Sequence, residues 1–501
     1  MQHALWHRVY ITNQKDTARA RCRSFPALGH AQASVAGKGV RRMSVFSLSN
    51  LKKTWYYLQK NGIRNAVWAV LERIGQEQEV YTWQEPDEKT LSFQREHSAS
   101  LRISIVVPAY RTKKEHLEAM LNSVSRQSYP HWELIVADAG GTAESVQAWA
   151  KKNGICLREA ADASNLAEWK DQSIVLSTLS ENKGISANTN AGIELAAGDA
   201  VGLLDHDDLL TANALWEMAD CLEKEKKRGK QKLVLFSDED KCDGAASRFY
   251  EPNFKPDFDG ELLLTNNYIC HFTVIETAFL KELKLRSGFD GAQDYDLVLR
   301  AYAAGGQFVH VPKVLYHWRC HEASTASNPQ SKRYAYEAGQ RALEDYCFRK
   351  GWKATVSGLK HLGFYREDYE DSVFCQRPEI GIWAKPLPGG RDVFGIRHPK
   401  GFLVSGLYEN DGSMRYAGLR KGYSGPMHRA ALQQSAPAAD LRSMEVCSAL
   451  KERYAQTIAE LKEACQGLPT AAQETKILQK SMEFCKEATA AGYGILWDPQ
   501  A

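Results

Sequence analysis

The chain has eleven cysteines but no CxxC pair, and eleven is an odd number. A zinc ribbon or a disulfide framework is therefore not expected, and the thiols read as the reduced ones of a cytoplasmic protein. There is no apolar run near the ~18 residues that a membrane-spanning helix needs, and the mean hydropathy is −0.44. Net charge is almost absent: 64 Lys and Arg against 61 Asp and Glu leave +3. That removes the electrostatic case for nucleic acid as a partner. No GxxxxGK[ST] segment occurs, so a nucleotide would not be held as in P-loop NTPases. What is present is core material: 44% hydrophobic and 10% aromatic residues exclude a disordered chain of 501 residues.

Residues 1–42 stand apart, being rich in Arg, Lys, Ala and Ser with a single acid, Asp16. The composition suits a transit peptide and lacks the apolar core of a secretory signal. The favoured expectation is a disordered or mis-annotated extension ahead of a start at Met43, which leaves the remainder slightly acidic. Residues 43–100 are expected to form a helical N-terminal segment. Leu51, Trp55, Leu58, Ile63, Val67, Val70, Leu71 and Ile74 keep a helical period, broken at Asn61-Gly62. Packing on the next domain is the commoner use of such a stripe. Lys52, Lys53, Lys60 and Arg64 beside Trp55 and Tyr56 would also suit peripheral contact with the inner membrane face. Gln84 to Ser98 reads as a charged connector.

From Ile103 the pattern changes. Short apolar runs at 103–108, 132–137, 174–177, 200–204 and 232–236 alternate with helical stretches at 116–126, 143–152 and 185–197. This predicts an α/β domain with a mostly parallel, Rossmann-like sheet. Such sheets bind ligands at the carboxyl ends of their strands. Those ends carry acids: Asp138, then Asp205-His206-Asp207-Asp208, then Asp238-Glu239-Asp240, with Gln293-Asp294-Tyr295-Asp296 opening a later helix. One such cluster is often a helix cap, and Asp238–Asp240 is as readily structural as functional. Several together suit a hard divalent cation, Mn2+ or Mg2+, which takes oxygen ligands and bridges phosphates. A metal of that kind serves a nucleotide whose diphosphate leaves. A carboxylate remote in sequence would then take a proton from an attacking hydroxyl; Asp294 suits that role, with Asp296 as second choice.

Six segments in order now carry a resemblance. They are Ile103-Ser-Ile-Val-Val-Pro-Ala-Tyr110, Leu134-Ile-Val-Ala-Asp-Ala-Gly-Gly141, Glu181-Asn-Lys-Gly-Ile-Ser-Ala-Asn188, Leu203-Leu-Asp-His-Asp-Asp208, Gly291-Ala-Gln-Asp-Tyr-Asp296 and Leu315-Tyr-His-Trp-Arg319. Together they resemble glycosyltransferase family 2, whose members are inverting enzymes of GT-A fold. Ser237-Asp-Glu-Asp-Lys241, Phe254-Lys-Pro-Asp257 and Asn267-Tyr-Ile269 are similar to a bacterial cell-surface polysaccharide subgroup that includes rhamnosyltransferases. The resemblance implies a nucleotide-sugar donor and a glycan or lipid-linked acceptor. It implies that Pro108, Ala109, Tyr110 and Asp138 line the nucleobase pocket, although Ala139 replaces a second acid found in many members. It implies that Asn182, Lys183 and Gly184 lie beside the nucleotide, that Asp205 contacts ribose or metal, and that Arg319 meets the diphosphate. Asp207 and His317 would ligate the metal, Asp294 would be the general base, and Asp238, Glu239, Gln293 and Asp296 would face the acceptor.

The resemblance covers residues 101–365. Residues 366–501 look like an α+β half-module, the back of a second transferase domain without its nucleotide loops. Strands are expected near 378–383 and at the end, with a hairpin at Asn410-Asp411-Gly412 and amphipathic helix within 450–477. The alternative to an enzyme is a catalytically inactive subunit that binds nucleotide or glycan. A nucleotidyltransferase is disfavoured by the Gly-free loop after Pro108, and a processive synthase by the lack of a QxxRW segment.

Overall fold

The computed structural model describes residues 81–161, 169–320, 333–358, 363–384, 444–456, 459–460, 484, 487–488 and 490–497. The expectations for residues 1–42, for the helices over 50–75, for the Asn410-Asp411-Gly412 hairpin and for most of 450–477 lie outside these residues.

The first described element corrects the connector. Glu88–Glu96 is a helix, α1, capped by Asp87, whose carboxylate accepts from Thr90 N at 2.7 Å. Its buried face is only Leu91 and Gln94. A stripe that narrow, within a charge-rich stretch, gives no visible period.

The α/β expectation is met. The strands are β1 (Ile103–Ala109), β2 (Trp132–Asp138), β3 (Cys156–Glu159), β4 (Ser173–Thr178), β5 (Ala200–Leu203), β6 (Leu209–Leu210), β7 (Leu233–Cys242), β8 (Phe249–Asn253), β9 (Thr273–Glu276) and β10 (Gln307–Arg319). They form one sheet in the order β3-β4-β2-β1-β5-β9-β7-β10-β6, with β8 on β7. Strands β3 to β5 run parallel, while β9 is antiparallel to both β5 and β7. The helices are α2 (Lys114–Ser125), α3 (Ala143–Asn153), α4 (Ile185–Leu195), α5 (Ala214–Lys227), α6 (Gly260–Thr265), α7 (Thr277–Leu283), α8 (Gln293–Ala303) and α9 (Arg333–Arg349).

Alternation along β1 distributes the core. Ile103, Ile105 and Val107 pack with Leu117 and Val146 of α2 and α3, and with Leu215 of α5. Val106 points the other way, to Ile193 of α4, Phe279 of α7 and Leu297 of α8. Both faces are covered, which is why β1 and β2 read as continuous apolar runs rather than alternating ones.

In the tail, β11 (Ala354–Gly358) pairs antiparallel with β12 (Tyr365–Tyr369), so a domain boundary at 365 would fall inside a hairpin. Strands appear where expected, as β13 (Ile380–Ala384) between β14 (Met444–Val446) and β15 (Gly494–Trp497). Val446, Leu450, Phe484 and Ala488 bury into the same cluster as Tyr295 and Val298 of α8. These four tail residues therefore share a core with the helix that carries Asp294.

One half-buried acid here gives a stability prediction. Burial raises the Glu367 carboxyl to about 8, Arg377 and Arg366 opposing only in part. Its Oε1 has no hydrogen-bond partner. The folded state thus holds a proton that the unfolded chain releases near pH 4.5, and stability falls as pH rises from there to about 8. Glu367→Gln is expected to leave the melting temperature nearly unchanged at pH 5 and to raise it at pH 8. Equal melting curves at both pH values would contradict this.

Candidate active site

The ends of β1 and β5, the start of α4, the residues before β9 and the first turns of α8 enclose one cleft. Pro108, Ile185, Asp205, Cys270, His271, Gln293, Asp294 and Leu297 are among its walls. Pro108, Asp205 and Gln293 are thus brought together with Asp294, as the sequence led one to expect.

On the β5 side, Asp205, Asp208 and His271 offer ligand atoms within 4.8 Å of one another. Glu239 Oε2 accepts from His271 Nδ1 at 3.1 Å, leaving Nε2 toward Asp205 at 3.9 Å and Cys270 Sγ at 3.3 Å. A carboxylate on the far ring nitrogen is how imidazole ligands are commonly oriented. Burial opposes ionisation of Glu239, yet Lys255, His271 and Asn253 hold its carboxyl down at about 2. Burial also opposes the imidazolium, but Cys270 and Glu239 raise His271 well above its ordinary value. Burial pushes the Asp205 and Asp208 carboxyls up, and the like charges of the loop add to it; His271 works against both shifts. Two acids that disfavour each other's charge, beside an oriented imidazole, fit a divalent cation with oxygen and nitrogen ligands.

The expected ligands Asp207 and His317 are not in this group. His317 sits opposite Asp240 in the β7–β10 register and its Nδ1 lies 2.5 Å from Asp240 Oδ1. Trp83 and Phe249 rings close over it at 5.0 and 4.3 Å. Side chains alternate along β10, so Tyr316 takes the other face and donates to Asp208 Oδ2 at 2.6 Å. Asp207 contributes its carbonyl, which accepts from Arg319 Nε at 2.5 Å. Arg319 itself is buried; its backbone N–H donates to Asp208 at 2.7 Å and its Nη1 to the Gly244 carbonyl at 2.8 Å. It holds the acidic turn in shape, which corrects its assignment to the diphosphate.

The acidic run after the 232–236 strand is also corrected. Strand β7 continues through Cys242, and Asp238 and Asp240 are wholly buried. Asp238 accepts from Lys255 N at 2.9 Å and pairs with His310 Nε2 at 2.9 Å. Glu239 orients His271. These acids are internal because each has a buried partner on a neighbouring element, so Asp238 does not face an acceptor.

On the nucleotide side, both Asp138 oxygens are occupied by backbone donors, Gly140 N at 3.0 Å, Thr142 N at 3.1 Å and Ala143 N at 2.8 Å. Asp138 anchors the β2–α3 turn rather than offering a free carboxylate to a base. Ala109 is buried and its carbonyl accepts from Ala139 N at 2.8 Å. Tyr110 is exposed, with the Arg111 guanidinium 5.1 Å from its ring centre. Asn182 Oδ1 accepts from Gly184 N at 3.1 Å and Asn188 Nδ2 at 2.8 Å, while Lys183 extends outward to Glu181. Gly184 has φ +96°, and a side chain there would strike the Asp290 carboxylate.

On α8, Asp294 Oδ2 accepts from Asn267 Nδ2 at 2.8 Å and from Cys270 Sγ at 3.3 Å. Gln293 Oε1 accepts from Gly291 N at 2.8 Å. Asp296 is turned away from the cleft and buried between Arg286 and Arg300, with Arg300 Nε at 2.9 Å. It is therefore not on the acceptor side.

Across one cleft, a carboxylate–imidazole group after β5 and before β9 faces a separate carboxylate on α8. Residues 104–283 match the model of glycosyl transferase family 2. The match falls within the α/β unit, whose architecture is GT-A-like. The chain is 36% identical over 265 residues to the uncharacterized protein y4gI of Sinorhizobium fredii, covering 52% of this chain and 27% of that one. It is 34% identical over 256 residues to the O-antigen biosynthesis protein RfbC of Myxococcus xanthus, covering 51% and 19%. It is 28% identical over 232 residues to the amylovoran biosynthesis glycosyltransferase AmsB of Erwinia amylovora, covering 43% and 70%. The chain thus spans under a third of the length of the first two relatives.

Proposed function

We propose that the chain is a metal-dependent glycosyltransferase. It would move a sugar from a nucleotide-sugar donor to a hydroxyl of a growing, lipid-linked cell-surface glycan, with inversion at the anomeric carbon. The observation that carries the reading is that Asp205, His271 and Asp294 line one cleft with Pro108. The match of residues 104–283 to the glycosyl transferase family 2 model supports it, and the biosynthetic names of RfbC and AmsB support the polysaccharide setting.

Asp205, Asp208 and His271 would hold Mn2+ or Mg2+, which offsets the charge developing on a departing diphosphate. Tyr110, Asn182, Lys183 and the Gly184 turn would border the nucleotide. Asp294 accepts the proton of the acceptor hydroxyl as it attacks the anomeric carbon from the side opposite the diphosphate. One displacement of this kind inverts configuration without a covalent intermediate. Among the described residues no helix is long and apolar enough to cross a membrane. Peripheral attachment at the inner face through Lys52, Trp55, Tyr56 and Arg64 is part of the proposal.

A thermal-shift and calorimetric screen of UDP-, GDP- and dTDP-sugars with and without Mn2+ tests the donor side. His271→Ala is expected to remove the Mn2+-dependent part of donor binding. An unchanged titration would take the imidazole out of the cation site. Donor binding with neither transfer nor hydrolysis in the unmodified chain would favour the inactive-subunit alternative.

A further inference from the structure

We infer that Asn267 is a positioning residue for the base. The inference rests on Asp294 being that base. Asn267 is half-buried in the short loop between α6 and β9. Its amide has a defined orientation, because Oδ1 accepts from Cys270 N at 3.4 Å and Nδ2 donates to Asp294 Oδ2 at 2.8 Å. Cys270 Sγ donates to the same oxygen at 3.3 Å. Both donors converge on Oδ2, which commits that oxygen and leaves Oδ1 as the one to receive a proton. A carboxylate without such an anchor would rotate, and proton transfer depends on placement to a fraction of an ångström.

The loop also explains why this device is separable from donor binding. Its other end carries His271, which faces Asp205 and is oriented by Glu239 on its far nitrogen, with Cys270 Sγ at 3.3 Å from the near one. One loop of a few residues thus reaches both walls of the cleft, with Asn267 on the base side and His271 on the cation side. The charged and titratable groups around Asp294 include Cys270 and His271 on this loop, Asp205 after β5 and Tyr365 on β12. Of the two neutral donors to Asp294 Oδ2, Asn267 is the nearer, at 2.8 Å against 3.3 Å for Cys270 Sγ.

The test uses the full chain and measures nucleoside-diphosphate release from UDP-, GDP- and dTDP-sugars with Mn2+. Asn267→Ala is expected to lower kcat about 10–100-fold, the range for losing a hydrogen bond to a charged group, with donor KM within about twofold of the parent. Asn267→Asp keeps the shape and the Oδ1 acceptor for Cys270 N but sets a like charge against Asp294. Its kcat profile should lose activity on the acid side about 1–2 pH units higher than the parent's. A merely structural role would lower the melting temperature and leave the acid limb in place. If both variants keep the parental kcat and acid limb, or if donor KM rises as much as kcat falls, the inference is overturned while Asp294 stands. If Asp294→Asn keeps turnover, Asp294 is not the base and the inference falls with it.

Discussion

Asp294→Asn is expected to lower turnover by about 10²–10⁴-fold, the usual contribution of a general base, while leaving Mn2+-dependent donor binding in place. The substitution is isosteric and removes only the charge that receives the proton. The cation group lies on the opposite wall, in the turn after β5 and in the loop before β9, and its ligand atoms do not include Asp294. The fold should tolerate the change, since the partners of Asp294 are the donors Asn267 and Cys270 and an amide oxygen can still accept from them. The check is kcat alongside a calorimetric titration of the sugar nucleotide. Turnover within about tenfold of the parent would remove Asp294 from the role, and a parallel loss of donor binding would make it a ligand contact instead.

Sequence alone located the cleft but misassigned half of its furniture, for reasons that are physical. Strands β1, β2, β4 and β5 were legible because they are buried on both faces and bounded by turns. The acids at the ends of parallel strands could be found by looking just past each apolar run, which gave Asp205 and led to Asp294. That search misses His271. It lies at the beginning of a strand, and β9 runs antiparallel to β5, with Thr273 opposite Leu203. The amino end of β9 therefore shares the edge with the carboxyl ends of its parallel neighbours. The signal was a His immediately before an apolar strand, and it carries meaning only once the direction of that strand is known. The opposite error befell His317, Asp238 and Asp240. Strand β7 continues ten residues, through its acids, because His310, His317 and Lys255 on adjacent elements supply buried partners. No local pattern distinguishes an acid paired across a sheet from one aimed at a ligand. Asp207 and Asp208 differ in the same way: Tyr316 and Arg319, more than a hundred residues away, turn Asp208 toward His271.

Asp296→Ala is expected to act on stability and not on chemistry, costing about 3–5 kcal/mol, the range for stripping one partner from a buried ion pair. The two acids of α8 are two residues apart, hence about 200° apart around the helix. Only one can face the cleft. Gln293, Asp294, Leu297 and Val298 fall on one side and line it. Asp296 and Arg300, four residues apart, fall on the other. There Asp296 accepts from Arg286 Nε at 3.1 Å and Arg300 Nε at 2.9 Å, and Arg286 reaches on to Asp345 of α9 at 2.7 Å. Asp296 is 1% exposed, Arg300 10% and Arg286 28%, so water reaches the Arg300 side poorly and the Arg286 side only in part. Removing it leaves two guanidinium groups side by side without their shared carboxylate, with Asp345 still reached by Arg286. The expected result is a melting temperature lowered by several degrees, with kcat per folded molecule near the parental value below the transition. A stable Asp296→Ala protein with impaired turnover would reverse the assignment and return Asp296 to the acceptor side. The pair of substitutions, two positions apart on one helix, therefore separates the group proposed as the base from the group that fixes the helix presenting it.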